Sequence, residues 1–301
     1  MKAKKKSKNY WAIVITGLIT IACLCSCETV IDFKQPKIED KLVIESYLMV
    51  GDTSIDVRVT RTGNPYNKKL RTFFNEDLYV YDADVRISFD GAPFDTLKLS
   101  KNFQDGTSGL LKPIYLIKKT VPEAKVCILK VKSNLLEVSS QIEIPTKTKL
   151  IDVTLNLIDT IRTKLWNSSI YTRYKYLITI DADFPQNSDN YYRFSINKKW
   201  IHNGKQYSSS LSEYEMFKFS DTSNKKKLTM IISDIIAPNT KMVFHLDHIT
   251  KEYFEFRKAL MDQNENLIDE INSEIIQIPT NINNGLGIFT VTNRDTLCKN
   301  Y

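Results

Sequence analysis

The chain has 301 residues, of which 42% are hydrophobic, so it is long enough to bury one large core or two of ordinary size. Its formal net charge of +7 comes from 42 basic and 35 acidic residues, but five of the lysines lie within the first 26 residues. The remaining 37 basic residues against 35 acids leave a net charge of +2, which argues against a nucleic-acid-binding protein.

The first 26 residues have the composition of a bacterial signal peptide. Lysines precede an apolar run over residues 11–24, which is shorter than the roughly 20 residues that a membrane-spanning helix needs. The run ends in Leu24-Cys25-Ser26-Cys27, which resembles a lipobox. In that pattern the peptide is cut before the last cysteine, which is acylated on its sulfur and on its new amine. We therefore expect residues 1–26 to be removed and Cys27 to carry the lipid.

The other cysteines predict no further site. Cys23 is a poorer acylation site, because Thr20 stands where the pattern takes a branched aliphatic residue. Cleavage and acylation leave two thiols, Cys127 and Cys298, in a compartment that permits disulfides. Two lone cysteines far apart in sequence are more often unpaired, so we predict that they are not bridged. The sequence contains no Cys-x-x-Cys pair, which argues against a zinc or thioredoxin-like site.

Residues 27–40 are polar and predict a short tether, after which the chain has the pattern of a β-sandwich. Apolar and polar residues alternate over short stretches, separated by turn signals such as Asn64-Pro65 and Asp90-Gly91. Six to seven such strands favour an immunoglobulin-like sandwich over residues 41–145. The main predicted strands cover residues 41–50, 54–62, 84–89, 93–99, 126–131 and 137–144.

Residues 146–301 predict a second β-rich domain that also contains a helix. Its helical period covers residues 251–263, with Thr250 as the N-cap. One face of this helix carries four residues and is expected to pack in a core: Tyr253, Phe256, Arg257 and Leu260. The predicted strands cover residues 174–180, 190–196, 226–232 and 241–246, and a last strand ends the segment 279–292.

Two glycines precede the last strand and indicate a special backbone geometry. Gly285 and Gly287 let the chain turn or approach a neighbouring strand closely, because glycine has no β-carbon. The whole pattern therefore predicts an all-β, mainly antiparallel protein, with one helix in the C-terminal half.

Six segments, taken in order, carry a resemblance to a known family: Cys27-Glu28-Thr29-Val30-Ile31-Asp32, Leu42-Val43-Ile44-Glu45, Val59-Thr60-Arg61-Thr62, Asn190-Tyr191-Tyr192-Arg193, Ile249-Thr250-Lys251-Glu252-Tyr253-Phe254 and residues 279–289. Together they resemble the Bacteroidetes-type outer-membrane lipoproteins of the family named domain of unknown function 4249. The resemblance covers essentially the whole chain after the signal peptide. It implies an accessory or binding lipoprotein of nutrient uptake that acts beside a TonB-dependent outer-membrane receptor, and it offers no catalytic residues to carry over.

No metal or catalytic site is predicted. His245 and His248 are three residues apart and are expected to straddle the end of a strand and the start of the helix, which does not bring them onto one face. A loop with Asp181, Asp183 and Asn187 offers oxygen ligands, but it lacks the spacing and the glycine of a helix–loop–helix calcium site. The sequence contains no Gly-x-Ser-x-Gly, His-Glu-x-x-His or phosphate-loop motif, so we expect no enzyme and no cofactor.

Three threonines stand in Asp-Thr-Leu or Asp-Thr-Ile tripeptides that resemble a bacterial O-glycosylation acceptor: Thr96, Thr160 and Thr296. The function expected is that of a surface-exposed, lipid-anchored binding module in the outer membrane. The alternatives left open are a structural or adhesion protein of the cell surface and an enzyme acting on surface glycans. A cleft with aromatic residues favours ligand capture, whereas a flat exposed patch favours contact with another protein.

Overall fold

The computed structural model describes ten segments of the chain. The signal peptide, Cys27 and Asn187 lie outside them, as does all of the predicted tether except Glu39 and Asp40. The residues from Glu39 onward belong to one compact unit. The segments are 39–63, 78–104, 111–164, 170–185, 189–202, 205–211, 214–220, 224–232, 241–266 and 277–300.

Fifteen strands and one helix are present in these segments, which confirms the all-β prediction. No described helix is both long enough and apolar enough to cross a membrane. The strands are β1 Leu42–Met49, β2 Ile55–Arg61, β3 Asp84–Phe89, β4 Asp95–Gln104, β5 Leu111–Ile117, β6 Val126–Ser133, β7 Leu136–Glu143, β8 Leu150–Lys164, β9 Ile170–Ala182, β10 Asn190–His202, β11 Lys205–Ser210, β12 Glu215–Phe219, β13 Lys225–Ile232, β14 Lys241–Ile249 and β15 Leu286–Asn300; the helix α1 is Lys251–Asn266.

The strands form one large sheet and one small sheet. The large sheet has the order β11-β10-β14-β15-β1-β2-β5-β4-β3-β6-β7, and β12 also pairs with β10. The small sheet has the order β13-β9-β8. Nearly all pairs are antiparallel, as predicted, but β15 runs parallel to β1 while it pairs antiparallel with β14. The last strand of the chain therefore joins the strands of the first half to those of the second.

A first core lies among β1–β7 and the beginning of β15. In β1 the alternation found in the sequence buries Leu42, Ile44 and Leu48 on one face. The same cluster contains Ile87 from β3 and Val138 from β7. These strands lie far apart in the order of the sheet, so the sheet must fold back on itself for their side chains to meet. This is the arrangement of a sandwich, in which inward-facing residues of two layers share a core.

A second core lies between the small sheet and the part of the large sheet around β10 and β14. Tyr192 and Phe194 of β10 and Phe244 of β14 are fully buried there, and they meet Ile178 and Ile180 of β9. Every second residue of β10 faces this core, which leaves the residues between them on the opposite face of the sheet. That opposite face carries the helix and the candidate site.

The helix begins where the sequence predicts and extends three residues beyond the predicted end. Thr250 Oγ1 accepts a hydrogen bond from the Tyr253 amide at 3.2 Å, which confirms the N-cap. Tyr253 and Phe256 are buried against Ile249 and Ile288, and Leu260 packs beside them. The predicted docking of this helix face on a sheet is therefore confirmed.

Three features differ from the sequence prediction. His245 and His248 do not straddle a strand and a helix: both belong to β14, which stays paired with β10 and β15 up to its end. The strands β5, β11 and β12 were not predicted, because their sequences do not alternate regularly. The strands β9 and β10 are longer than predicted, since pairing with neighbours extends them beyond their alternating centres.

The boundary at residue 145 falls between the two cores, but the last strand contributes to both. Phe289 and Val291 belong to the first core, whereas Leu297 packs against the second. The division into domains of residues 41–145 and 146–301 stays a prediction.

Candidate functional site

A cleft of about 1210 Å³ opens beside the helix-bearing face of the large sheet. Five of its lining residues are basic, and the cleft is called the basic cleft below. These cations come from β9 (Arg173 and Lys175), β10 (Arg193), α1 (Arg257) and β15 (Arg294). The other described lining residues are Ser195, Asn197, Ser210, Leu211, Tyr214, Glu215, Thr229, Met230, Ile231 and Met261.

Strand pairing places three charged residues side by side at the floor of the basic cleft. Arg193 of β10 is the cross-strand partner of Asp247 in β14, and Asp247 is in turn the partner of Arg294 in β15. Directly opposed residues of neighbouring strands point to the same face of a sheet. The fold therefore places one carboxylate between two guanidinium groups, and these three residues are called the arginine–aspartate triad.

The triad is held by several short hydrogen bonds. Arg193 donates from Nε to Asp247 Oδ2 at 2.8 Å, and its Nη2 forms an ion pair with the same oxygen at 2.6 Å. Arg294 donates from Nε to Oδ1 at 2.5 Å and from Nη2 to Oδ2 at 3.0 Å. The Asp247 side chain is only 1% exposed. One buried carboxylate thus fixes two arginines, and the triad keeps one net positive charge.

The pKa of Asp247 shows that its charge is stabilised. Burial by itself would raise this pKa, but the hydrogen bond from Arg294 and the charge of Arg193 hold it below its usual value. Burial likewise opposes the charge of Arg193, yet Asp247 and Tyr253 raise the pKa of its guanidinium overall. Asp247 and Arg193 are therefore both charged at neutral pH.

Tyr253 of the helix α1 contacts the arginine–aspartate triad. Arg193 Nη1 donates to Tyr253 Oη at 3.1 Å, and the ring of Tyr253 meets that of Tyr47 from β1 edge to face at 5.8 Å. Burial, followed by the charge of Glu45, raises the pKa of Tyr47 to about 12. Both tyrosines stay neutral, so Tyr253 acts as a hydrogen-bond acceptor that orients Arg193.

A second tyrosine, Tyr214, contacts two arginines at the wall of the basic cleft. The Arg193 and Arg257 guanidinium carbons lie 5.5 Å and 5.4 Å from the centre of the Tyr214 ring, which is the range of cation–π contacts. Arg257 also donates to Tyr214 Oη. Because this oxygen accepts that bond, its own proton is left to donate elsewhere.

Two arginines of the basic cleft have a buried donor atom without a partner. The Nε atoms of Arg173 and Arg257 are buried and make no hydrogen bond within the described part of the chain. Buried polar atoms in native proteins are nearly always hydrogen-bonded, so an unpaired donor beside a cleft needs an explanation. Glu215 is the acidic residue among the described lining residues, and it is exposed.

The two histidines considered as metal ligands make other contacts. His245 binds Asn197 and Thr296 through its two ring nitrogens, at 3.2 Å and 3.0 Å. His248 points to the second core, where its ring stacks on Tyr192 at 4.8 Å. They therefore lie on opposite faces of β14. No group of three metal-ligating side chains occurs among the described residues.

The other candidate residues do not converge on the basic cleft either. Asp181 pairs with Lys225 at 3.5 Å, and Asn187 lies outside the described residues. Cys127 and Cys298 are both free thiols, the first buried and the second exposed, as predicted. The three threonines of the glycosylation tripeptides are exposed: Thr96, Thr160 and Thr296.

Sequence reasoning missed the basic cleft, although parts of it stand in segments already singled out. Arg193 ends the segment Asn190-Tyr191-Tyr192-Arg193, and Tyr253 lies in the helix segment quoted for the same resemblance. Asp247 lies between the two histidines that were considered for a metal. The sequence signal that could have indicated the cleft was a charged residue among apolar neighbours in a predicted strand, as at Arg193.

The fold and the cleft define an all-β protein with a basic cleft beside its one described helix. A family model described as "Domain of unknown function (DUF4249)" matches residues 28–297, and the chain belongs to this family. No curated protein matches the chain. Among solved structures, a zebrafish (Danio rerio) Fcho1 Mu homology domain with bound Eps15 peptide aligns over 85% of this chain and 92% of that one, with 7% identity and a TM-score of 0.15. A TM-score of 0.15 supports no inference about this chain.

Proposed function

We propose that the protein is an outer-membrane lipoprotein, anchored through Cys27 and displayed at the cell surface, that serves as a binding module of a TonB-dependent uptake system. The observation that carries the proposal is the basic cleft, because a concave site of about 1210 Å³ lined by five cations and a tyrosine has the form of a binding site. The lipobox at Leu24-Cys25-Ser26-Cys27 supports the anchor.

A structural or adhesion role is the second candidate, and one feature favours it. The outer strand β8 exposes large apolar side chains at Ile151, Leu157 and Ile158. Apolar residues on an edge strand favour contact with another protein. This surface is compatible with docking on a receptor as well as with adhesion.

Crosslinking in the native host separates these roles. Intact cells are treated with a crosslinker, the lipidated protein is extracted in mild detergent, and its partners are identified. A binding module of an uptake system is expected to bring down a large outer-membrane receptor. The matched control is Cys27→Ala, which is expected to lose the anchor and the crosslink together. A wild-type protein that crosslinks to no outer-membrane receptor would contradict the proposal.

Protease treatment of intact cells tests the orientation. A surface-displayed protein is expected to be degraded from outside while a periplasmic marker stays intact. Survival of the body under conditions that degrade another surface protein would place it on the periplasmic side.

A further inference from the structure

We propose that the basic cleft binds an organic anion with at least two negative charges, whose carboxylate or phosphate oxygens contact Arg173, Lys175 and Arg257. This inference rests on the proposed function as a binding module and names the chemical class of its ligand. It does not depend on which receptor the protein docks to.

The basic cleft has an excess of positive charge. Five cations line it, whereas the acids at the cleft within the described residues are the buried Asp247 and the exposed Glu215. Asp247 is already shared by Arg193 and Arg294. Even with both acids counted, three positive charges remain for a ligand, while the chain after the signal peptide has a net charge of only +2. The positive charge is therefore concentrated at this cleft, which attracts anions.

The basic cleft offers hydrogen-bond donors that suit an oxyanion. Arginine offers five N–H donors in a fixed plane that matches the oxygens of carboxylates and phosphates. The Nε atoms of Arg173 and Arg257 are buried without a partner in the described part of the chain. The Tyr214 hydroxyl accepts from Arg257 and keeps its own proton to donate. An oxyanion would satisfy such donors, whereas a neutral sugar would leave the charges uncompensated.

The arginines of the basic cleft are partly held in place before a ligand binds. Arg193 is fixed by Asp247 and Tyr253, so its side chain loses little freedom when a ligand arrives. Arg193 and Arg257 also both contact the Tyr214 ring, which holds the two cations in the same region before any anion is present. An anion bound beside these cations offsets the repulsion between them.

Part of the wall of the basic cleft is apolar. Leu211, Ile231 and Met261 line the same cleft, and Ile231 is the cross-strand partner of Lys175. An inorganic ion would fill only a small part of about 1210 Å³. A ligand with a carbon skeleton buries these side chains while its charged groups reach the arginines.

Calorimetric titration of the detergent-solubilised full-length protein at low salt tests the inference. The probes are the tricarboxylate citrate, the organic phosphate fructose 1,6-bisphosphate, and trehalose as a neutral control. We expect heat of binding for citrate, fructose 1,6-bisphosphate or both, and none for trehalose. Binding of citrate alone assigns carboxylate ligands, and binding of fructose 1,6-bisphosphate alone assigns phosphates. Binding should weaken as salt is raised.

Variants locate the binding. The double variant Arg173→Ala/Lys175→Ala should weaken anion binding about tenfold or more, because each removed side chain would contact a charged oxygen of the ligand. Arg257→Ala should do the same, and the double variant keeps the test valid if loss of Arg257 disturbs the helix. The control is Arg86→Ala, which removes an exposed arginine paired with Asp84 on β3, away from the cleft. It should bind like the wild type.

The outcomes are distinct from those of the receptor experiment. If neither anion binds, or if the cleft variants bind as tightly as Arg86→Ala, the inference is wrong even when the protein crosslinks to a receptor. If an anion binds through the cleft but no receptor is crosslinked, the inference stands and the uptake role is wrong.

Discussion

Gly287 lies against Ile44 so closely that a β-carbon on Gly287 would collide with the Ile44 carbonyl oxygen. The two residues are partners in the parallel pairing of β15 with β1, and Gly287 has a φ of +103°. Only glycine fits both the backbone angle and the space. The pairing that joins the C-terminal strand to the first half of the chain therefore depends on this contact.

Gly287→Ala should destabilise the protein by about 3 kcal/mol or more, because the β-carbon adds a backbone clash to the cost of an unfavourable φ. Thermal and denaturant unfolding measure the change. Gly91→Ala is the matched control, since Gly91 also has a positive φ, of +76°, but a β-carbon at this position would have nothing within 4 Å. Its cost should be only about 1–2 kcal/mol. Equal losses in the two variants would contradict the role of the close contact.

Asp247→Asn should lower the free energy of unfolding by about 2–3 kcal/mol, because it leaves two partly buried arginines without their shared counter-charge. Asp84→Asn is the control, because it breaks an exposed pair with Arg86 and should cost far less than Asp247→Asn. Chemical denaturation at neutral pH measures both. A loss no larger than that of the control would show that the triad does not stabilise the fold.

The same carboxylate predicts an acid-dependent loss of stability. The pKa of Asp247 is lower in the folded protein than its ordinary value of 3.8, so the folded state binds this proton less readily than the unfolded state. Its contribution is therefore complete above that ordinary value and is lost as the pH falls below it, toward the folded pKa. Asp247→Asn should show a smaller loss of stability over this range than the wild type.

His248 predicts a second pH dependence, nearer neutrality. Burial lowers the pKa of His248 below 6.5, although its hydrogen bond to the Thr146 carbonyl partly opposes this. The unfolded chain therefore binds the proton more readily, and the free energy of unfolding should decrease as the pH falls through 6.5. His248→Gln should reduce this slope. Burial also lowers the pKa of His245, so His245→Gln should remove a separate part.

Measurements of unfolding from about pH 8 to about pH 5.5 decide the histidine prediction. A wild-type stability that stays constant or increases on acidification would contradict it. A slope that is as steep in both variants as in the wild type would assign the effect to other groups.

Phe256→Ala should destabilise the protein by about 3–5 kcal/mol, because it removes a buried aromatic ring from the interface between α1 and the large sheet. Met261→Ala is the control on the same helix, since Met261 is 38% exposed. Its cost should stay below about 1 kcal/mol. A melting temperature unchanged by Phe256→Ala would mean that the helix does not depend on this contact.

Cys27→Ala should abolish incorporation of a labelled fatty acid and leave the precursor uncut. The reason is that the lipobox pattern places the acylated sulfur at Cys27. Cys23→Ala is the control and should still be labelled. Label on the Cys27→Ala protein would assign the anchor to another residue.

The sequence by itself determined those features that depend on neighbouring residues. Alternation of apolar residues identified β1 and β10, the Thr250 cap and the helical period placed the start of the helix, and Gly287 indicated a close approach. Each signal reflects local chemistry: backbone geometry, side-chain periodicity or the lack of a β-carbon. The all-β class followed from these signals together.

Only the tertiary structure decided which strands lie beside each other, and with that the site. Arg193 and Arg294 are 54 and 47 residues away from Asp247 in sequence, and the three meet because β14 pairs with both β10 and β15. Arg173 and Arg257 reach the same cleft from another strand and from the helix. No local pattern records such a meeting, because it depends on sheet order and register, which are set by the packing of the whole chain.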